Sequence, residues 1–172
     1  MKKLNFIILF ITLTSTVALA QGTLGKGGKQ LNAGVGFSSW GVPIYAGLDF
    51  GVHESITIGP KVSYRNYNYR SSFYNYSQSL FVLSFNGNYH FNKVLNLPSE
   101  WDLYAGLSVG YYLWSDAKVS SGGTIITGTN ASTLGLDAQI GVRYFFTKNF
   151  GLNLEFGGGT GTGGNFGITY KF

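Results

Sequence analysis

Apolar and polar residues alternate along most of the chain from Leu31 onward. A two-residue period is typical of β-strands that have one apolar face. The pattern predicts an all-β fold with eight strands, and most of them are 8 to 12 residues long, close to the roughly 9–11 residues that a tilted strand needs to cross a bilayer. The predicted strands cover residues 31–38, 44–52, 56–65, 81–91, 101–114, 134–145, 150–157 and 165–172.

The two faces of these strands differ sharply in composition. One face is apolar or aromatic apart from Gly87, and the other combines glycine, small polar residues and charges. A face exposed to water would be rich in Lys and Glu, whereas the narrow interior of an eight-stranded barrel takes small side chains. We therefore expect the apolar face to contact lipid and the charges to form a network in the lumen. That network consists of Asp49, Lys61, Arg65, Asp102, Asp137, Arg143, Glu155 and Lys171.

Aromatic residues on the apolar face lie mainly near the strand ends, with aliphatic residues between them. Two aromatic girdles around an aliphatic band match the two interfaces of a bilayer. The first, third, fifth and seventh connections are together much longer than the second, fourth and sixth. This asymmetry predicts both termini in the periplasm and long loops outside the cell. Pro60 lies inside the third strand and predicts a bulge there, because proline cannot donate to the ladder.

The N-terminus carries the features of a secretory signal. Lys2 and Lys3 precede an apolar run over residues 6–13, and small residues at Ala18 and Ala20 suit a signal peptidase. We predict a signal peptide over residues 1–20 that is cleaved after Ala20, a flexible periplasmic lead-in over 21–30, and a barrel over 31–172. The expected location is the outer membrane.

Composition excludes several classes of protein. Cysteine is absent, so disulfides and cysteine metal sites are excluded, and 17% aromatic residues argue against a disordered chain. The chain has a net charge of +5, but the basic residues are scattered and predict no nucleic-acid partner. Glycines over residues 157–164 have phosphate-loop spacing without a following helix, so no cofactor or metal is predicted.

Together, the signal peptide, the eight alternating strands and the aromatic last strand resemble the small outer-membrane β-barrel family, the OmpA/OmpX-like group. The resemblance implies an eight-stranded antiparallel up-and-down transmembrane β-barrel surrounded by membrane lipid. Apolar residues at alternate positions of the last strand resemble the signal that the outer-membrane assembly machinery recognises in this family. These residues are Phe166, Ile168, Tyr170 and Phe172.

His90 and Asp102 form the best candidate for an enzyme-like pair, because both lie on the polar face near the same end of adjacent strands. The nearest serines on that face, Ser84 and Ser108, are about 20 Å away at the usual strand rise. We therefore predict a structural pair, no catalytic residues and no enzymatic activity.

The third connection is rich in tyrosine interleaved with Ser and Asn, a composition found in binding loops. Its tyrosines Tyr67, Tyr69, Tyr74 and Tyr76 continue the lumen-facing side of the strands. They either belong to a hairpin that extends past the membrane, with rings that pack on each other and cap the barrel mouth, or recognise an extracellular partner or glycan. The predicted function is that of a non-enzymatic barrel with a plugged polar lumen and a structural or surface-interaction role. A narrow porin-like channel for small solutes is the alternative, and an envelope enzyme is a more distant one.

Overall fold

A computed structural model describes residues 22–121, 124–128, 131–161 and 163–172, so the predicted signal peptide lies outside the described residues. Its elements are β1 (Lys29–Phe37), β2 (Ile44–His53), β3 (Ile56–Arg70), β4 (Asn75–His90), α1 (Asn92–Leu95), β5 (Trp101–Trp114), β6 (Ala117–Ser121), β7 (Thr124–Gly128), β8 (Thr133–Phe145), β9 (Phe150–Gly159) and β10 (Gly163–Lys171). Across the described ranges, no helix has both the length and the apolar character needed to span a membrane.

Eight of the strands close into a ring. Each pairs antiparallel with its neighbours in the order β1, β2, β3, β4, β5, β8, β9, β10, and β10 pairs back onto β1. These eight strands are the predicted ones, and the predicted antiparallel up-and-down barrel is confirmed. The described chain begins at Gly22 and ends at Phe172 at the same end of the ring, which we call the base, and the opposite end is the loop end. β1 begins at Lys29, so the last two residues of the predicted lead-in belong to the barrel.

The loop end carries more strand than the sequence predicts. β3 continues to Arg70 and β4 begins at Asn75, so the third connection is a long hairpin closed by Ser71–Tyr74, where the Ser71 N–H donates to the Tyr74 carbonyl. β6 and β7 form a second hairpin, and β6 pairs with the outer part of β4. The β3–β4 extension alternates Tyr with Asn and Ser and has the form of the hairpin expected from continuing the strands outward, whereas β6 and β7 contain no tyrosine and lie outside the predicted strands.

The apolar side chains point outward, as predicted. Leu107, in the middle of β5, is 57% exposed, and large hydrophobic residues on all eight ring strands are similarly exposed. Aromatic rings contact one another around the base, including Trp101 with Tyr144 at 4.8 Å between ring centroids. At the loop end, Phe37 contacts Phe156 at 5.6 Å. An exposed apolar belt of this extent between two aromatic girdles is the surface of a transmembrane barrel.

The predicted bulge at Pro60 is wrong. Pro60 stays in register with Phe85 of β4, and the irregularity between β2 and β3 lies at Gly51–His53 instead. On the β2 side, the ladder is interrupted between two pairs, Gly47 with Lys61 and Phe50 with Ile58. The missing N–H of proline therefore interrupts the hydrogen-bond ladder locally, and the strand accommodates it without an extra residue.

Candidate functional site in the barrel lumen

Arg143 forms an ion-pair cluster near the base. Its Nη1 donates to Asp102 Oδ2 at 3.0 Å, and its Nη2 donates to Asp49 Oδ2 at 2.7 Å. Asp102 lies beside Arg143 in register on β5, whereas Asp49 is on β2, four strands away from β8 in either direction around the ring. Arg143 is only 3% exposed, and both carboxylates are buried. The cluster therefore joins opposite walls of the barrel across the lumen.

His90 joins Asp102 to a third residue. His90 Nδ1 lies 2.6 Å from Asp102 Oδ1, and His90 Nε2 lies 3.0 Å from the hydroxyl of Thr57. The order hydroxyl, imidazole, carboxylate is that of a hydrolase triad. All three residues are buried, and none lines either of the two cavities described below. These contacts tie β3, β4 and β5 together.

A second charged pair spans the middle of the lumen. Lys61 Nζ lies 2.5 Å from Glu155 Oε1, and the Tyr104 hydroxyl donates to Glu155 Oε2 at 3.0 Å. Lys61 on β3 and Glu155 on β9 again belong to opposite walls. A cavity of about 100 Å³ lies on the loop side and one of about 20 Å³ on the base side, and both are lined by this pair. The Lys61–Glu155 pair is therefore the partition between the two cavities.

The other three predicted lumen charges have different surroundings. Arg65 Nη1 donates to the Ser38 hydroxyl at 3.2 Å. Asp137 accepts from the Tyr112 hydroxyl and, at 2.7 Å, from the Gly161 N–H. Lys171 Nζ donates to the Gly22 carbonyl at 3.1 Å and lies 3.6 Å from the centre of the Phe145 ring.

Aromatic residues fill the lumen at the loop end. Trp40, from the first loop, stacks on Tyr67 at 5.4 Å between ring centroids and meets Trp114 edge to face at 5.0 Å. Tyr67 also contacts Tyr76 at 5.9 Å. We call Trp40, Tyr67, Tyr76 and Trp114 the mouth cluster. The two tryptophans pack against buried side chains below them, namely Leu80, Val82 and Tyr112.

The four tyrosines predicted for surface recognition thus fall into two groups. Tyr67 and Tyr76 belong to the mouth cluster. Tyr69 and Tyr74 contact each other at the hairpin tip and are 45% and 44% exposed, beside Phe73 at 82%. Sequence reasoning missed Trp40 and Trp114. A signal for this cluster existed, because Leu80, Val82 and Trp114 are apolar residues at lumen-facing positions.

Residues 22–28, which we call the base strap, cross the base of the barrel. At one end of the strap, the Gly27 N–H donates to the Gly51 carbonyl of β2 at 2.7 Å, and the Gly51 N–H donates to the Gly28 carbonyl at 3.0 Å. At the other end, Gly22 lies against β5, where a side chain on Gly22 would collide with the Trp101 carbonyl. β5 and β1 are on opposite sides of the ring, so the strap passes beneath the lumen.

No model of a known protein family and no curated protein matches this sequence. Solved structures do match its fold. OprG from Pseudomonas aeruginosa has a TM-score of 0.65 at 12% identity, over 89% of this chain and 99% of OprG. The N-terminal β-barrel domain of Pseudomonas aeruginosa OprF has a TM-score of 0.56 at 13% identity, and Ail of Yersinia pestis one of 0.54 at 14%. Each of these two matches covers 86% of this chain and 99% of the other. The chain has the fold of the small outer-membrane β-barrels.

In this outer-membrane barrel fold, the predicted assembly residues lie at the seam where the ring closes. Phe166 of β10 is in register with Val35 and Tyr170 with Leu31, both on β1. Phe166, Ile168 and Tyr170 face outward with about half of each side chain exposed, and the Phe172 N–H donates to the Lys29 carbonyl at 3.0 Å. Their role as a signal for the assembly machinery stays a prediction.

Proposed function

We propose that the protein resides in the outer membrane with its termini in the periplasm, that its lumen is closed to solutes, and that it acts without catalysis through its extracellular loops. The apolar belt and the likeness to outer-membrane barrels support the location. The longer connections at the loop end support the orientation. Thr57, His90 and Asp102 give no support to catalysis, because all three side chains are buried.

The closed lumen rests on one observation, the charged contacts that join opposite walls at two heights. Arg143 reaches Asp49 near the base, and Lys61 reaches Glu155 in the middle. A solute that passed through would have to separate charged groups in a region of low dielectric, where such hydrogen bonds are strong.

Single-channel recordings in planar bilayers test the closed lumen. We expect no sustained conductance steps from the wild-type protein. Lys61→Ser with Glu155→Ser should join the two cavities but still give no steps, because the Arg143 cluster remains. Adding Asp49→Ser and Arg143→Ser removes one further acid and one further base, so the net charge is conserved and discrete steps should appear. Steps of comparable size from the wild type would contradict the proposal and favour the narrow porin-like channel.

The surface contact is assigned to the hairpin tip, where Tyr69, Phe73 and Tyr74 expose aromatic area beyond the membrane. Aromatic rings give large contact area at low entropic cost and stack on sugar rings and apolar protein patches. Ail has been crystallised with the heparin analogue sucrose octasulfate. A polysulfate needs clustered cations, whereas the described loop-end residues beyond the lumen carry two scattered bases, Arg70 and Lys118, and the acid Asp116. A partner with an uncharged surface, such as a neutral glycan, therefore fits this tip better.

Two matched double variants separate the tip from the mouth cluster. Tyr69→Ser with Tyr74→Ser should lower binding of protein-displaying cells to a glycan array by about tenfold, the scale of losing one or two aromatic contacts. Its heat stability should not change. Tyr67→Ser with Tyr76→Ser should instead lower the temperature at which the folded band shifts on electrophoresis. If the tip variant binds as the wild type does, the tip rings are not the contact surface.

A further inference from the structure

The larger cavity, which we call the loop-side chamber, is lined in part by polar side chains from several strands. It has a volume of about 100 Å³ and ends below at the Lys61–Glu155 pair. Ser38 and Gly161, from the first and last loops, border its upper part. The polar side chains that line its walls include Ser63, Arg65, Ser84, Ser108, Asp137 and Gln139.

Arg65 has more donors than the surrounding residues can accept. A guanidinium carries five N–H donors. In the described part of the chain, the acceptor for Arg65 is the neutral Ser38 hydroxyl, and no carboxylate lies within ion-pair distance. Its Nε is buried without an acceptor. The Nε of Arg143 is also buried without an acceptor, but the two Nη atoms of Arg143 are held by two carboxylates.

The other charges of the chamber are already satisfied. Lys61 is neutralised by Glu155, and Asp137 accepts from the Tyr112 hydroxyl and the Gly161 N–H. Asp137 acts electrostatically on Arg65 without forming an ion pair with it, so among the described residues the donors of Arg65 have no charged acceptor at hydrogen-bond distance. Buried donors without acceptors are costly, so the chamber favours an occupant that brings acceptors.

We infer that the loop-side chamber binds a small oxyanion, a carboxylate or a phosphate, through the guanidinium of Arg65. The planar guanidinium matches the paired oxygens of such ions, and these charge-assisted bonds are stronger than hydrogen bonds between neutral groups. A cavity of about 150 Å³ accommodates a benzene molecule, so this chamber has room for an ion of about four or five heavy atoms. The inference goes beyond the proposed function, since it needs neither conduction nor contact with a surface partner.

Ser38 connects this site to Trp40, whose fluorescence can report binding. Its hydroxyl oxygen accepts from Arg65 Nη1 and, at 3.2 Å, from the backbone N–H of Trp40, and its hydroxyl donates to the Gly41 carbonyl at 2.9 Å. An ion that draws the guanidinium away from Ser38 changes the first loop and hence the surroundings of the Trp40 indole.

The test is a titration of the purified protein in detergent, followed by tryptophan fluorescence at constant ionic strength. Formate and inorganic phosphate are added in separate arms against sodium chloride, so the two arms distinguish a carboxylate from a phosphate. We expect a saturable change in at least one arm and a rise in melting temperature with the same concentration dependence. Arg65→Gln should weaken this binding at least about tenfold, as expected for losing a charge-assisted pair. Arg70→Gln, which removes an exposed arginine at the hairpin tip, should leave it unchanged.

A second variant keeps the test valid if Arg65→Gln does not fold. Ser63→Leu fills the chamber while leaving the arginine in place, and it should abolish the saturable change. The inference is overturned if neither ion gives a saturable signal. It is also overturned if Arg65→Gln or Ser63→Leu, when folded, binds as tightly as the wild type. None of these outcomes depends on whether the barrel conducts or binds a surface partner.

Discussion

Arg143→Leu is expected to lower the free energy of unfolding by about 3–5 kcal/mol, the usual cost of breaking a buried ion pair by removing one partner. The substitution leaves Asp49 without a cation and leaves Asp102 with His90 alone, and both carboxylates are buried. Urea unfolding of the protein in lipid vesicles, followed by tryptophan fluorescence, measures the change.

A triple variant tests whether the lost stability comes from the buried carboxylates that Arg143→Leu leaves without their cation. Adding Asp49→Asn and Asp102→Asn to Arg143→Leu removes both carboxylates while preserving side-chain size, so most of the lost stability should return. Replacement of a whole buried ion-pair cluster is often neutral for this reason. If Arg143→Leu unfolds at the same urea concentration as the wild type, the cluster does not hold the barrel closed.

Leu107→Arg is expected to cost about 2–4 kcal/mol, because it places a charge on the lipid side near the middle of the membrane. Leu107 is an outward-facing residue of β5 with more than half of its side chain exposed. Folding yield into vesicles and urea unfolding measure the loss, which reports directly on the outward direction of the apolar face.

Leu113→Arg is the matched control on the same face of the same strand. Leu113 lies beyond Tyr111, at the level of the loop-end aromatic girdle, and a charge near the interface costs only about 0–1 kcal/mol. A depth-dependent difference between the two variants is the signature of a bilayer. Equal costs at both positions would mean that this face does not cross a membrane.

The strands could be predicted from the sequence because a two-residue period is a local property. It can be recognised in one strand without knowing which strands pair with it. The ion pairs could not. Arg143 finds one partner on the adjacent strand and the other on the opposite wall, so the cluster depends on both the register and the closure of the ring. The Lys61–Glu155 pair also depends on the closure of the ring, because the two residues are 94 positions apart in the sequence and lie on opposite walls.

Other parts of the site have weaker signals in the sequence. Thr57 completes the chain with His90 and Asp102, but only serine was considered as a hydroxyl partner. Trp40 reaches the mouth cluster from a loop, where strand periodicity says nothing about direction. The hairpin beyond Arg65 is anticipated when the strand alternation is continued outward, because tyrosine there alternates with small polar residues, but the ends of its strands at Arg70 and Asn75 are not.

The base strap has a consequence for the order in which the molecule is completed. Its anchoring groups are the Gly51 backbone on β2, the β5 wall at Trp101 and the Lys171 ammonium on β10. These groups come within reach of one short segment only after β10 has joined β1, because until then the two walls are not fixed relative to each other. We therefore expect residues 22–28 to take up this position only after the eight-stranded ring has closed.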